Sequence, residues 1–379
     1  MNKKTGIYIH IPFCQSKCSY CDFLSGRGSK EEVLNYFRSL TREIELTRMN
    51  DGEEVDSIFF GGGTPSLAPV GDLVKVIETL KKSFNILESS EVTIECNPGT
   101  LTKEKLFAYK KAGINRLSFG LQSANDYELK MLGRIHNFSE FRESFIMARD
   151  IGFDNISVDL MESIPGQTMD KMMTSLDKVL DLAPDHISAY SLILEEGTRL
   201  YENSESFPPL PDEEMEREIY YAVKNKLKAS GFIQYEVSNF AKEVGGKSFA
   251  CKHNIGYWDR ANYYGFGLGA ASLVNEKRYS NVRNMKLYND AKTLSDYRES
   301  EEVLSIEDSM AEFIFLGFRK NIGIDEDVFY KSFGKKLTDI YGNVLKEHIL
   351  DGTIKKTDVG YALTDRGMDI SNYILSDFL

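Results

Sequence analysis

The chain contains no apolar run approaching the ~20 residues that span a bilayer, so a membrane helix is not expected. Positive charge is also scarce. Forty-six Lys and Arg against 58 Asp and Glu leave a formal charge of −12, which argues against the broad basic footprint of a nucleic-acid binder. Only five cysteines occur, and an odd count in a long chain does not suit a disulfide framework or an oxidising compartment. The N-terminal MNKKTGIYIHIPF has its apolar run broken by His10 and Pro12 and lacks a small-residue cleavage site. It does not make a signal peptide, and a cytoplasmic protein is expected.

Three of the five cysteines lie within eight residues. Cys14, Cys18 and Cys21 form CxxxCxxC directly after an alternating strand. Zinc would need a fourth ligand nearby, and His10 is the one local candidate. The better fit is one iron–sulfur cluster: a four-iron cluster held by three thiolates keeps one iron open for another ligand.

Alternation predicts strands near residues 6–11, 55–60, 91–96, 116–121, 155–160 and 186–192, with helical stretches between them. Six β/α repeats argue for a parallel sheet, and right-handed crossovers curl it toward a barrel with ligands at the C-terminal strand ends. The unusual motifs fall there: GGGTP, ECNPG, GLQS and DLMESIPGQT. A doubly wound sheet would concentrate them at one switch point instead. The expected fold is therefore α/β, a partial (β/α)6 TIM-like barrel. The repeat breaks near Glu195, and prolines 208, 209 and 211 mark a connector. The expected division is a core domain over 1–235, an aromatic and glycine-rich connecting region over 236–300, and a mostly helical domain over 301–379. A hairpin near 352–363 gives that last domain a winged-helix character, and its mixed charge favours packing or a lid over DNA binding.

Gly61-Gly62-Gly63-Thr64-Pro65 lets backbone approach a ligand closely, or is an ordinary tight turn. It is not a phosphate loop, since no Gly-Lys-Ser/Thr follows it. Glu95 at a strand end needs a cationic group or hydroxyls beside it. Gln122, Arg134 and Asp159 lie at or just beyond later strand ends, where each alone suits a salt bridge or cap and together they suit a site. Cys251 and His253, two apart beside the single tryptophan, Trp258, read as a satisfied core pair or as contacts for a planar iron porphyrin. Cys96 reads as core.

Taken together, YIHIPFCxxKCxYCDF, GGGTPS, ECNP, GLQS and DLMESIPGQT resemble the radical S-adenosylmethionine (SAM) superfamily, in its coproporphyrinogen dehydrogenase-like branch. The resemblance implies a [4Fe–4S] cluster on Cys14, Cys18 and Cys21. Its open iron would chelate SAM, which on reduction yields a 5′-deoxyadenosyl radical. Implied SAM contacts are Tyr8, Tyr20, Gly62, Gly63, Thr64, Glu95, Gln122, Arg134 and Asp159, with Ile193 at the sixth strand end. The oxygen-independent coproporphyrinogen oxidases look like CxxxCxxCxC, whereas here the extra position is Phe23. They also carry a longer segment ahead of the cluster. The CDF ending, short N-terminus and CKHNIGYW run are similar to the HemW group of haem chaperones. That similarity implies haem as ligand, Cys251 or His253 as its contact, acceptor haemoproteins such as membrane cytochromes, peripheral membrane contact on delivery, and an electron donor for the cluster. Coproporphyrinogen oxidation and radical SAM methyl transfer are the competing activities.

Overall fold

The computed structural model describes residues 3–49 and 52–379. Six strands pair in chain order, all parallel: β1 (Lys3–Ile11), β2 (Glu53–Gly62), β3 (Ile86–Cys96), β4 (Arg116–Gln122), β5 (Ile156–Glu162) and β6 (His186–Ser191). Helices Lys30–Leu46, Val70–Ser83, Lys103–Ala112, Phe138–Asp150 and Met169–Leu180 connect them. Local chemistry sets where these helices begin. Ser29 with Glu32 and Asn137 with Glu140 form capping boxes, while Thr102 and Thr168 each accept from the third backbone N–H of their helices.

Strand alternation separates two surfaces. Ile7, Ile9, Ile58, Phe60, Ile94, Leu117, Phe119, Val158 and Leu160 are buried in the core shared with the helices, among them Leu73, Ile77, Phe141 and Leu176. The other face is polar and lines a cavity, with Tyr8 and His10 on β1, Arg116, Ser118, Gly120 and Gln122 on β4, and Ser188 and Tyr190 on β6. Burying the apolar set, at roughly 1.5–3 kcal/mol per large side chain, drives folding and leaves the opposite face free for chemistry.

Among the described residues β1 and β6 do not pair, so the barrel is partial. Further strands extend both edges. On one side, β8 (Asn239–Val244) runs antiparallel to β6 and pairs with β7 (Phe232–Glu236) and β9 (Lys247–Ser248). On the other, β10 (Asn262–Phe266) lies parallel to β1 and leads to antiparallel β11 (Ala271–Val274), β12 (Lys277–Asn281) and β13 (Arg298–Val303). Residues 236–300 thus contribute β8 to β12 and part of β13 to the main sheet. Their strands are short and crossed closely: a Cβ on Gly265 would sit 2.0 Å from the Ala271 carbonyl oxygen, so glycine content signals a tight crossing here.

The C-terminal region has its own core of Met310, Phe313, Phe329, Leu345, Ile354, Leu363 and Phe378. Its order is helix Ile306–Gly317, β14 (Ile324–Asp325), helices Glu326–Phe333 and Leu337–Leu350, then hairpin β15 (Ile354–Lys356) and β16 (Gly360–Leu363). The three strands pair in the order β14-β16-β15, a winged-helix-like arrangement. Arg260 binds Glu312 at 2.7 Å, and Arg319 lies 4.5 Å over the Trp258 ring, joining this region to the helix Lys252–Trp258. No helix among the described residues is long and apolar enough to cross a membrane.

Candidate functional site

A cavity of about 660 Å³ runs along the polar face of the parallel strands. Its mouth lies at their C-terminal ends, where the cysteine loop follows β1. The loop is pinched at its base, with Cys14 N–H donating to Gly26 O (2.8 Å) and Gly26 N–H to Pro12 O (2.9 Å). It is pinned across the mouth by Ser19 N–H to Leu132 O and by Leu200 N–H to Ser19 O. Cys14, Cys18 and Cys21 are half-buried free thiols on this one wall.

The glycine turn approaches the cysteines from β2. Gly63 N–H donates to Ile11 O and Thr64 N–H to Phe13 O, both at 2.8 Å, and Thr64 Oγ1 lies 3.6 Å from Cys14 Sγ. A Cβ on Gly63 would come within 2.8 Å of Phe13 O and 3.0 Å of Cys14 Sγ. Gly62 has φ 109° and packs where a Cβ would strike the His10 ring at 2.6 Å. Glycine is required at both positions by close approach, and at Gly62 also by backbone conformation.

Opposite, Arg134 points at the same wall. Its Nη1 lies 3.5 Å from Cys18 Sγ, while Nη2 donates to Asn97 Oδ1 and Gly120 O. Glu95 Oε2 accepts from Gly62 N–H at 3.1 Å, and burial, with Asp159 adding, raises its pKa to about 8. Gln122 adopts φ 74° at a register shift in β4 and accepts from Tyr190 OH at 2.8 Å. Asp159 accepts from Ser118 Oγ at 3.4 Å, and burial raises its pKa. Tyr8, Tyr20 and Ile193 complete the set on the cavity wall, with Ile193 69% exposed at the mouth. One cavity therefore gathers the three cysteines and all ten further residues that the motifs single out, with Asp159 lying midway along β5 rather than at its end.

His10 lines the same cavity, with Nε2 at 2.9 Å from Leu24 O and Nδ1 at 3.0 Å from Tyr8 OH. Both ring nitrogens are therefore engaged. Among the described residues no three His, Cys, Asp or Glu side chains converge to hold one metal ion. The donor set is three thiols spread on one wall, which suits a cluster whose irons occupy separate corners. Thiolate ligation requires the proton to leave, and at Cys21 burial works against this by raising the pKa, with Cys18 and Cys14 adding to the rise.

The CKHNIGYW run opens the short helix Lys252–Trp258, and its two singled-out residues part company. Cys251 is fully buried and does not line the cavity; its Sγ donates to Glu91 Oε1 at 3.5 Å, and burial raises its pKa to about 12. His253 lines the cavity, with Nδ1 at 3.1 Å from Ser57 Oγ and Nε2 at 3.2 Å from Tyr257 OH. Burial lowers its pKa to about 3, which keeps the ring neutral. Cys96 lies in the core, 3% exposed.

Several wall residues lie outside the motifs, Arg116, Ser118, Tyr190 and Asn239, while Asn97 and Tyr257 lie within ECNPG and CKHNIGYW without having been given a role. The signal available for two of them was the alternation of β4, RLSFGLQ, in which Arg116 and Ser118 share the face of Gln122.

A family model described as the radical SAM superfamily matches residues 8–179, and one described as the HemN C-terminal domain matches 304–370. Together with the cysteine wall, these define the class as a radical SAM protein. Among curated relatives, "Heme chaperone HemW" of Bacillus subtilis is 38% identical over 377 residues, covering 98% of each chain. "Radical S-adenosyl methionine domain-containing protein 1, mitochondrial" of Bos taurus is 34% identical over 90% of this chain and 79% of its own. Among solved structures, the coproporphyrinogen III oxidase HemN of Escherichia coli superposes with a TM-score of 0.84 at 20% identity, covering all of this chain and 90% of that one. The chain belongs to the HemW-type group of the radical SAM superfamily, membership that implies a [4Fe–4S] cluster and SAM.

Proposed function

We propose that this protein is a haem chaperone that holds a [4Fe–4S] cluster on Cys14, Cys18 and Cys21, binds SAM at the cavity mouth, and passes haem to acceptor haemoproteins such as membrane cytochromes. The carrying observation is its near full-length similarity to relatives named Heme chaperone HemW. The SAM contacts are assigned to Tyr8, Tyr20, Gly62, Gly63, Thr64, Glu95, Gln122, Arg134, Asp159 and Ile193. Glu95 and Asp159 offer carboxyl groups to hydroxyls, and the glycine turn offers backbone close to the thiols.

Of the two haem candidates, His253 is favoured because it lines the cavity as a neutral imidazole, the form that ligates iron once one of its hydrogen bonds, to Ser57 or Tyr257, is released. Cys251 is turned toward Glu91 and supports the helix from behind. Phe23, 59% exposed at the rim, stands where a coproporphyrinogen oxidase resemblance calls for cysteine, so oxidative decarboxylation is not expected. The protein works in the cytoplasm, meets the membrane peripherally on delivery, and takes electrons from a separate donor.

Anaerobic reconstitution with iron, sulfide, SAM and haem tests the assignment. Stoichiometric haem binding and transfer to an apo-acceptor, with coproporphyrinogen left intact, is the expected result. Loss of two carboxyl groups from coproporphyrinogen III overturns it in favour of an oxidase. Methylated product with S-adenosylhomocysteine overturns it in favour of a methyltransferase.

A further inference from the structure

The cavity does not end at the SAM assignments. Arg116, Ser118, Gly120 and Gln122 line it at every second position of β4. Arg116 opens the strand and Gln122 closes it, so they lie on the order of 20 Å apart along the wall at ~3.3 Å per residue. The far end of the lining, termed the floor, is made by Arg116, Ser118, Ser188, Asn239 and Asn254.

Arg116 is the anomaly there. It is 2% exposed and heads the fully buried side chains by size, yet its Nε is buried with no hydrogen-bond partner. The nearest carboxylate oxygen, Glu91 Oε2, is 4.0 Å away, beyond a hydrogen bond. Glu91 Oε1 is already committed to Lys252 N–H (3.0 Å) and Cys251 Sγ (3.5 Å). The unpartnered Nε lies on the Glu91 side, and the planar fork of a guanidinium that lines the cavity matches a carboxylate bidentately. The other carboxyl facing the floor is Asp159, which takes Ser118 Oγ at 3.4 Å and which burial shifts toward its neutral form. Between floor and mouth the wall is aromatic. Phe59 stacks on His253 with centroids 5.2 Å apart and on Tyr8 at 6.4 Å. A flat apolar body with a terminal carboxylate fits this sequence of surfaces.

We propose that the cavity floor is a carboxylate-binding subsite anchored by Arg116, which takes a propionate of the bound porphyrin. The identity of the ligand rests on the haem-chaperone reading; the anchor is a property of the floor. A propionate on Arg116 sets the depth and rotation of the macrocycle, so that its plane meets the aromatic wall beside His253.

The test uses the full chain carrying its cluster, titrated spectroscopically with haem and with haem dimethyl ester, whose propionates are esterified. Wild type is expected to bind haem roughly tenfold or more tightly than the ester. Arg116→Gln should bring that ratio to about one, with SAM affinity and iron–sulfur absorbance unchanged, and Arg116→Lys should retain part of it. The wild-type comparison needs no variant. If Arg116→Gln fails to fold with Glu91 unpaired, the double variant Glu91→Gln/Arg116→Gln removes both charges and should also bring the ratio to one. Equal affinity of wild type for haem and ester overturns the subsite while leaving the chaperone reading intact, as does a preference that survives the loss of Arg116. Binding of neither porphyrin overturns both.

Discussion

The two ends of the cavity are built in opposite ways. The mouth is assembled from short loops at successive strand ends, each bringing a compact motif: the cysteines, the glycine turn, Glu95 and Gln122. The support behind the floor and the aromatic wall is assembled across great sequence distance, where Glu91 of β3 meets Lys252 and Cys251, and where Ser57 of β2 meets His253. The mouth presents half-buried thiols as ligand donors; the contacts behind the floor tie buried polar groups together across the sheet. The mouth should therefore govern cofactor content, and the floor should govern stability and the seating of the substrate.

The largest effect separates them outright. Replacing Cys14, Cys18 and Cys21 by Ala should abolish iron–sulfur absorbance while leaving the circular dichroism and denaturant midpoint of the unloaded chain nearly unchanged. A folded chain that still binds iron and sulfide would break the division. At the other end, Glu91→Gln removes the anion beside buried Arg116 and the acceptor of Lys252 N–H. Losing one partner of a buried ion pair costs about 3 kcal/mol, read as a lowered denaturant midpoint, with cluster absorbance retained.

A third measurement concerns pH. Glu162 ends β5, 1% exposed, with Oε2 unpartnered, and burial with Glu216 nearby raises its pKa from 4.5 to about 7. The folded state therefore holds this proton more tightly than the unfolded chain. Stability from this group is full below pH 4.5, falls as pH rises toward 7, and levels off above, a loss of roughly 3 kcal/mol. Glu162→Gln should flatten that slope in denaturation series from pH 5 to 8, and an unchanged slope would assign it to other groups. The smallest effect returns to the mouth. Glu95→Gln keeps the shape but removes the ionisable carboxyl, and should weaken SAM binding by about tenfold in calorimetry.

The same contrast decides what the sequence could disclose. The strands of the parallel sheet were legible because period-two alternation with one apolar face is local, as in Ile7, Ile9 and Ile11. The mouth was legible because Cys14–Cys21 and Gly61–Pro65 carry their chemistry within a few residues. Arg116 was not, since an arginine that opens a strand usually faces solvent; only its neighbours on β3, β5 and the helix Lys252–Trp258 bury it. The CKHNIGYW run was visible as unusual but not divisible. Residues two apart at the start of a helix point roughly 200° away from each other, so Cys251 and His253 serve opposite sides of one wall. Likewise, the short strands β10 to β12 hid among glycines because their pairing partners, not their composition, define them.

β1 sits between β2 and β10, and this central position sets an order of events during synthesis. Its β2 neighbour follows within about fifty residues, but β10 begins at Asn262. At ~5–20 residues per second, the other edge of β1 waits on the order of tens of seconds for its partner on the ribosome. An apolar strand with one unpaired edge is an invitation to wrong pairing for that interval. The cysteine loop hangs from this same strand, so the nascent chain presents its three thiols before the sheet that shelters them is complete. Cluster insertion into the finished fold, after Phe266 has emerged, is the order of assembly this topology favours.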